Sequence, residues 1–419
     1  KQIRKYYFMK SIGPDNYSLK VLTLCLIGWT LANMDQSFFG YAIPSLMTEF
    51  EIDLVIIGII LSVAFILASF SVVLAGFLAD RYGRRSMFVF CLSVSALLVG
   101  LHSFAESIET MAVLRCVAFA VSTGLVPITN SFVVESAPTR LRGIYSGILQ
   151  CGYPLGWFFA SLIATPLLTD FGWRAMFLPA LAVIPIAFLM GKVLPESTKF
   201  SELSTQVGMD PKKLTFKERL GILFSTEYRY RSILGFIAFF FFGGAYAGTA
   251  FYFPTFFQQV RGYSAEVSTL LVGISYGVGV LGYLGASFVG EFLTTRRNTV
   301  VIWTWVGTVC VAALVWPNHT YYMDLLWFSL MAIFFYGTSA VLTTFIAELF
   351  PTHIRATAVG AIAGLGINLG FALFPLLVAN LVESIGWKMA FTAAIIPSLF
   401  IVGLVTLFQP NLKSGEELD

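Results

Sequence analysis

Charge, histidine and paired cysteine are all scarce in this chain. Only 12% of its 419 residues are Asp, Glu, Lys or Arg, 57% are hydrophobic, and mean hydropathy is +0.81. Soluble domains carry about 25% charged and about 45–50% apolar residues. A water-soluble core of this length is therefore excluded, and the chain belongs in lipid. Cys25, Cys91, Cys116, Cys151 and Cys310 stand singly inside apolar runs, which gives neither a disulfide framework nor a metal site. Three scattered histidines add no metal set. No phosphate-binding G-x-x-x-x-G-K-[ST] loop occurs, which argues against ATP-driven work, and the "GVGVLG" at 277–282 follows no strand, so it is no dinucleotide site. Neither an enzyme, a cofactor, a metal nor a nucleic-acid partner is expected. The first apolar run is long enough to span and has no small-residue cleavage site, so no cleavable signal is expected.

What is present is length in the apolar runs. Crossing the hydrocarbon takes about 20 apolar residues, and twelve runs qualify: 19–40, 55–79, 86–105, 109–133, 143–166, 173–194, 231–257, 266–290, 298–316, 321–346, 358–381 and 387–409. They are continuous rather than alternating, which predicts helices and not a β-barrel. The polar stretch 195–230 divides them six and six, with a short amphipathic helix expected around 213–224. The expected architecture is an all-α membrane protein with an N-terminal bundle (1–194), a linker (195–230) and a C-terminal bundle (231–419). Of the 26 Lys and Arg residues, only Arg174, Arg261 and Lys388 fall on the side away from the termini, and Arg115 lies inside a span. The excess of basic residues on the terminal side predicts that both termini are cytoplasmic.

The halves resemble each other. "ESAPTRLRGIYSG" from 135 and "ELFPTHIRATAVG" from 348 match at Glu135/Glu348, Pro138/Pro351, Thr139/Thr352, Arg142/Arg355 and Gly147/Gly360. "FGWRAMF" (171–177) matches "IGWKMAF" (385–391) at the same boundary in each half. A duplicated six-helix unit follows, the layout of carriers that bind near the midplane and rock between access states.

"GFLADRYGRR" (76–85) interrupts the apolar pattern between spans 2 and 3. With "PES" at 195–197, it resembles the Major Facilitator Superfamily, through Gly76, Asp80, Arg81, Gly83, Arg84 and Arg85. "GEFLTTRR" (290–297) is a worn second copy. Gly83 suits a tight turn and Gly76 a close helix approach. Asp80 suits a helix N-terminus or an arginine across the half-to-half contact. The resemblance implies a contact that forms in one access state and breaks in the other; Glu135, Arg142, Glu348 and Arg355 are grouped with this switch. Within the superfamily, "ES-P---RG", "ELFPT-IRA" and "GWTLANMDQ" (28–36) are similar to the sugar porters and the proton-coupled carboxylate symporters of the aromatic-acid and sialate type. Ala32 stands where the first aspartate of their helix-1 motif is usual, and Asp35 keeps the second.

Asp35 and Arg115 are the two ionisable residues read as lying well inside spans. An unpaired charge near the bilayer centre costs at least about 2.5–3.5 kcal/mol. Asp35 lies roughly 24 Å and Arg115 roughly 27 Å from the terminal side at ~1.5 Å per residue, so the two could meet. They are either a proton-coupling pair, with Arg115 holding an anion, or a structural ion pair. Asn33, Gln36, Gln150, Tyr153, Tyr336 and Asn368 are candidate substrate contacts, or else helix-to-helix hydrogen bonds. Gly243, Gly244, Gly248 and Pro254 either bend helix 7 or pack it closely. The Asn318-His319-Thr320 sequon is expected to be a chance match.

The expected function is secondary active transport of a small organic anion, an aromatic or other carboxylate, by proton symport in the cell inner membrane, by a monomer. A proton-driven drug or sugar exporter and a transporter-like sensor are the alternatives. The tail after the last span, about ten residues, argues against the sensor.

Overall fold

Lipid offers no partner for backbone N–H and C=O groups, so an apolar run inside it closes its hydrogen bonds within the segment. The structure, a computed structural model, follows this rule, and among the described residues it contains helices and no strands. It describes residues 16–138, 141–196, 221–318, 320–351, 354–355 and 358–412, with Asp80 described by its backbone alone. The first half holds α1 (Asn16–Glu49), α2 (Leu54–Tyr82), α3 (Arg84–Phe104), α4 (Ile108–Ser136), α5 (Arg142–Phe171) and α6 (Trp173–Val193). The second half holds α7 (Arg229–Ala250, continued by Phe253–Arg261), α8 (Ala265–Leu293), α9 (Arg296–Val315) and α10 (Tyr321–Glu348). One continuous helical stretch, Val359–Leu407, supplies the last two spans, because Gly386 breaks it (φ 77°, ψ 164°) into α11 (359–385) and α12 (387–407). Twelve spans result among the described residues. The expected linker helix falls largely on residues outside those described; 221–223 are helical.

Local chemistry sets the ends. Side chains of Asp53, Ser107, Ser264 and Thr295 accept from the first-turn amides of Ile56, Thr110, Val267 and Asn298, capping α2, α4, α8 and α9. Gly83 (φ 91°) turns α2 directly into α3, as its place in the loop motif predicts. The repeat is visible in the backbone: Gly172 (φ 78°) parts α5 from α6 just as Gly386 parts α11 from α12.

Packing divides the two readings of the α7 glycines in an instructive way. α7 does break, between Ala250 and Phe253, and Pro254 sits in the first turn of its continuation. The glycines upstream are a packing face: a Cβ on Gly243 would lie 2.6 Å from the Ile367 carbonyl oxygen of α11. Gly76 is a correction. Its nearest neighbour for an added Cβ is Pro127 at 3.9 Å, an ordinary contact, so no close approach depends on it; Gly124, 3.0 Å from Ala75, occupies the tight point between α2 and α4. Large apolar side chains such as Phe70, Val73 and Phe77 point outward, as a lipid-facing surface requires.

Replacing Gly243 by Leu should destabilise the protein by about 1–3 kcal/mol through overpacking. Gly285→Ala, whose Cβ would meet only Trp303 at 3.9 Å, should be neutral. Thermal unfolding of the two purified variants checks the contrast.

Candidate functional site

Between the halves lies a cavity of about 280 Å³. α1 contributes Trp29, Asn33 and Gln36; α2 Phe65, Ala68 and Val72; α4 Phe119, Thr123 and Val126; α5 Gln150 and Tyr153. The second half answers with Phe242, Tyr246, Ala247 and Phe251 near α7, Tyr283 of α8, Ser339 of α10, and Gly364, Ile367, Asn368 and Phe371 of α11. The lining residues of α11 fall in the half of that helix nearer the terminal face, and those of α2 cluster about its middle. The far side is sealed. A Cβ on Gly58 of α2 would lie 3.1 Å from Pro375 O and 3.0 Å from Ala379 of α11, and Leu54 N donates to Glu383 Oε1 (3.3 Å). Rings complete the seal: Phe65 meets Phe371 at 4.9 Å and Phe251 at 6.1 Å, and Trp157 meets Phe251 at 5.7 Å. Each such pair contributes about 0.5–1.5 kcal/mol beyond its burial.

Five of the expected contact residues, Asn33, Gln36, Gln150, Tyr153 and Asn368, line this cavity. Asn33 Nδ2 donates to Trp29 O (2.6 Å) and Gln36 Nε2 to Ser122 Oγ (3.2 Å). Gln150 and Asn368 are half-buried and make no hydrogen bond to another described residue. Tyr336 and Arg115 do not line it. Tyr336 is fully buried, bonded to Thr249 (3.0 Å) and stacked on Tyr276 at 5.2 Å. Trp29, Phe65, Phe251, Phe371, Tyr283 and Ser339 were not anticipated. Trp29 alone had a readable signal, lying one turn before Asn33 on α1.

The pairing expected from matching depth is not formed. Both oxygens of Asp35, and Nε and Nη2 of Arg115, are buried without a hydrogen-bond partner. Arg115 lies instead against three rings, 4.5 Å from Phe39, 4.9 Å from Phe119 and 5.4 Å from Phe251. Cation–π attraction from desolvated faces supplies about 2 kcal/mol or more. Phe119 and Phe251 also line the cavity, so Arg115 sits behind its wall. A second buried acid was missed: Asp324 of α10 is paired with Arg261 (3.2 Å) and accepts from Tyr263 (2.7 Å). Burial, and then that carboxylate, push the Tyr263 hydroxyl above its ordinary range. Asn318 of the sequon accepts from Arg261 and Lys388.

On the terminal face the charges pair by repeat. Arg84 is ion-paired with Glu135, and Arg296 with both Glu348 and Glu291. Glu196, of the "PES" stretch, accepts from the Arg84 and Arg85 amides (3.0 and 3.2 Å), capping α3. In the second half Arg297 Nη1 donates to Gln409 O (3.2 Å). Arg81 lies exposed over the Tyr82 ring, Arg85 and Arg142 are exposed, and Arg355 Nε donates to Phe350 O (3.2 Å). The contact expected for Asp80 concerns a side chain outside those described.

Comparison with known proteins agrees with this geometry. The pattern of the Major Facilitator Superfamily matches residues 25–365. The cis,cis-muconate transport protein of Acinetobacter baylyi is 28% identical over 93% of this chain and 95% of its own length. The niacin transporter NiaP of the same organism is 24% identical over 88% of each. The crystal structure of a bacterial homologue of the human lysosomal transporter Spinster, inward-facing and occupied, superposes with a TM-score of 0.67 at 16% identity, covering 94% of this chain and 96% of that one.

The two kinds of buried acid predict opposite responses. Asp324→Asn should lower stability by about 3–5 kcal/mol, since it leaves Arg261 an unpaired buried charge. Asp35→Asn breaks no pair and should leave the unfolding temperature unchanged or raise it; thermal unfolding of both variants reads the difference.

Proposed function

This chain belongs to the Major Facilitator Superfamily, and on that premise we propose that it moves a small, planar organic acid across the cell inner membrane by proton symport. The observation that carries the reading is a cavity with ample room for a single-ring acid, walled by rings and amides from both halves. Its volume equals that of roughly nine waters at ~30 Å³ each. The names of two relatives, a muconate and a niacin transporter, support an unsaturated carboxylic acid as the substrate class.

In this reading residues 1–194 and 231–419 rock about the cavity, joined by 195–230. The basic excess on the terminal side supports cytoplasmic termini, so the sealed far side faces outward. Asp35 is the proton carrier: ionised and unpartnered it is an uncompensated buried charge, and a bound proton removes that charge. Arg115 is the cation that meets a substrate carboxylate when Phe119 and Phe251 part with the opening of the far side. Asn33, Gln36, Gln150, Tyr153 and Asn368 contact the substrate, and Tyr336 supports the tyrosine wall behind it. The switch is the Gly76–Arg85 loop, with Asp80, Arg81, Gly83 and Arg84, working with Glu135 and Arg142, and with Glu348 and Arg355 in the second half. Arg84–Glu135 and Arg296–Glu348 are the pairs that re-form between states. The protein works as a monomer.

Reconstituted in liposomes, the protein should catalyse counterflow of labelled nicotinate or muconate. Asp35→Asn should retain counterflow and lose accumulation driven by a pH gradient, by tenfold or more. Gradient-driven accumulation by that variant would contradict the coupling role, and absence of counterflow with every carboxylate would contradict the substrate class.

A further inference from the structure

The cavity combines two features. First, no Asp, Glu, Lys, Arg or His stands among its described lining residues, and Arg115 is 1% exposed behind Phe119 and Phe251. Second, the polar groups that line it are neutral: carboxamides, beside the hydroxyls of Thr123, Tyr153, Tyr246, Tyr283 and Ser339 and the Trp29 indole. Gln150 and Asn368 are free of protein partners among the described residues, and Gln36 keeps its oxygen while its nitrogen donates to Ser122. A carboxamide presents one acceptor and two donors. It therefore matches a head group that both donates and accepts, a primary carboxamide or an un-ionised carboxylic acid. A carboxylate anion only accepts. In a cavity walled by rings its charge has no cation to replace the lost water, and burial of an unpaired charge is strongly unfavourable.

We propose that, in the state sealed at Gly58 and Phe65, the cavity binds the uncharged form of its ligand's head group, primary carboxamides included, and disfavours the carboxylate anion. The inference rests on the organic-acid reading above and refines it: the acid's own ionisation becomes the release step on the terminal side. The titratable groups facing the ligand are hydroxyls of Tyr153 (α5), Tyr246 (α7) and Tyr283 (α8), and tyrosine ordinarily titrates near pH 10. Asp35 on α1 is not among the lining residues. A pH dependence between 5 and 8 that follows the acid and not the amide therefore belongs to the ligand.

Calorimetric binding of benzamide and benzoate to the purified wild-type protein at pH 5, 6, 7 and 8 tests this. Benzamide should bind with a Kd constant within twofold, while the apparent Kd of benzoate should rise about tenfold per pH unit above the acid's own pKa of about 4. Gln150→Leu with Asn368→Leu should weaken benzamide at least tenfold. Benzoate binding undiminished at pH 8 with no benzamide binding would overturn the proposal and leave organic-acid transport standing. Binding of neither probe would also overturn the proposal, while organic-acid transport would still stand or fall by the counterflow measurement.

Discussion

Every charge this chain takes out of water must either find an opposite charge or be walled off by something nearly as good. That constraint organises the structure. At the terminal face, Arg84 with Glu135 and Arg296 with Glu348 satisfy it twice, once in each half of the repeat. At the far face the Arg261–Asp324 pair is almost completely buried, and Tyr263 supplies a further bond to the carboxylate. An isolated surface pair contributes little, at most about 1 kcal/mol. A buried one becomes indispensable chiefly because removing one member strands the other.

Asp35 and Arg115 are the exceptions, and both stand beside the cavity helices. Arg115 is held by three rings in place of an acid. Two of those rings form part of the cavity wall and one, Phe251, belongs to the opposite half. Any motion that parts the halves on the far side must therefore change the surroundings of this guanidinium. The glycines of α7 against α11 and the contact of Gly58 with Pro375 and Ala379 give such a motion rigid, closely packed surfaces to act through, since packed interfaces shift between discrete arrangements rather than deform.

Much of this was legible from residue order. Twelve apolar runs became twelve spans because backbone satisfaction in lipid leaves no other solution. The repeat told where the turns would recur, and Gly172 and Gly386 adopt the same unusual backbone. Five cavity residues were found because amides and hydroxyls in lipid turn inward, toward a cavity or a neighbouring helix; Tyr336, chosen on the same ground, is buried against Thr249 and Tyr276 instead. What escaped depends on side chains meeting across helices. Matching depth suggested that Asp35 and Arg115 meet, yet depth carries no information about which face of a helix a residue occupies. The i, i+4 relation of Arg115 to Phe119 was readable, but Phe251 is brought from 136 residues away by the packing of the halves. Asp324 and Arg261 each lie near the end of a helix, where a charge looks solvated; only the fold buries them together.

The most direct measurement is an experimental structure of the protein in lipid nanodiscs with an excess of nicotinate at pH 5. The account predicts one ring-shaped density between the halves, against Tyr153 and within hydrogen-bond reach of Gln150 or Asn368, with Arg115 still behind Phe119 and Phe251 while the far side is closed. A ligand bound elsewhere, or one whose carboxylate is clasped by Arg115 with the Phe65–Phe371 seal intact, would contradict it.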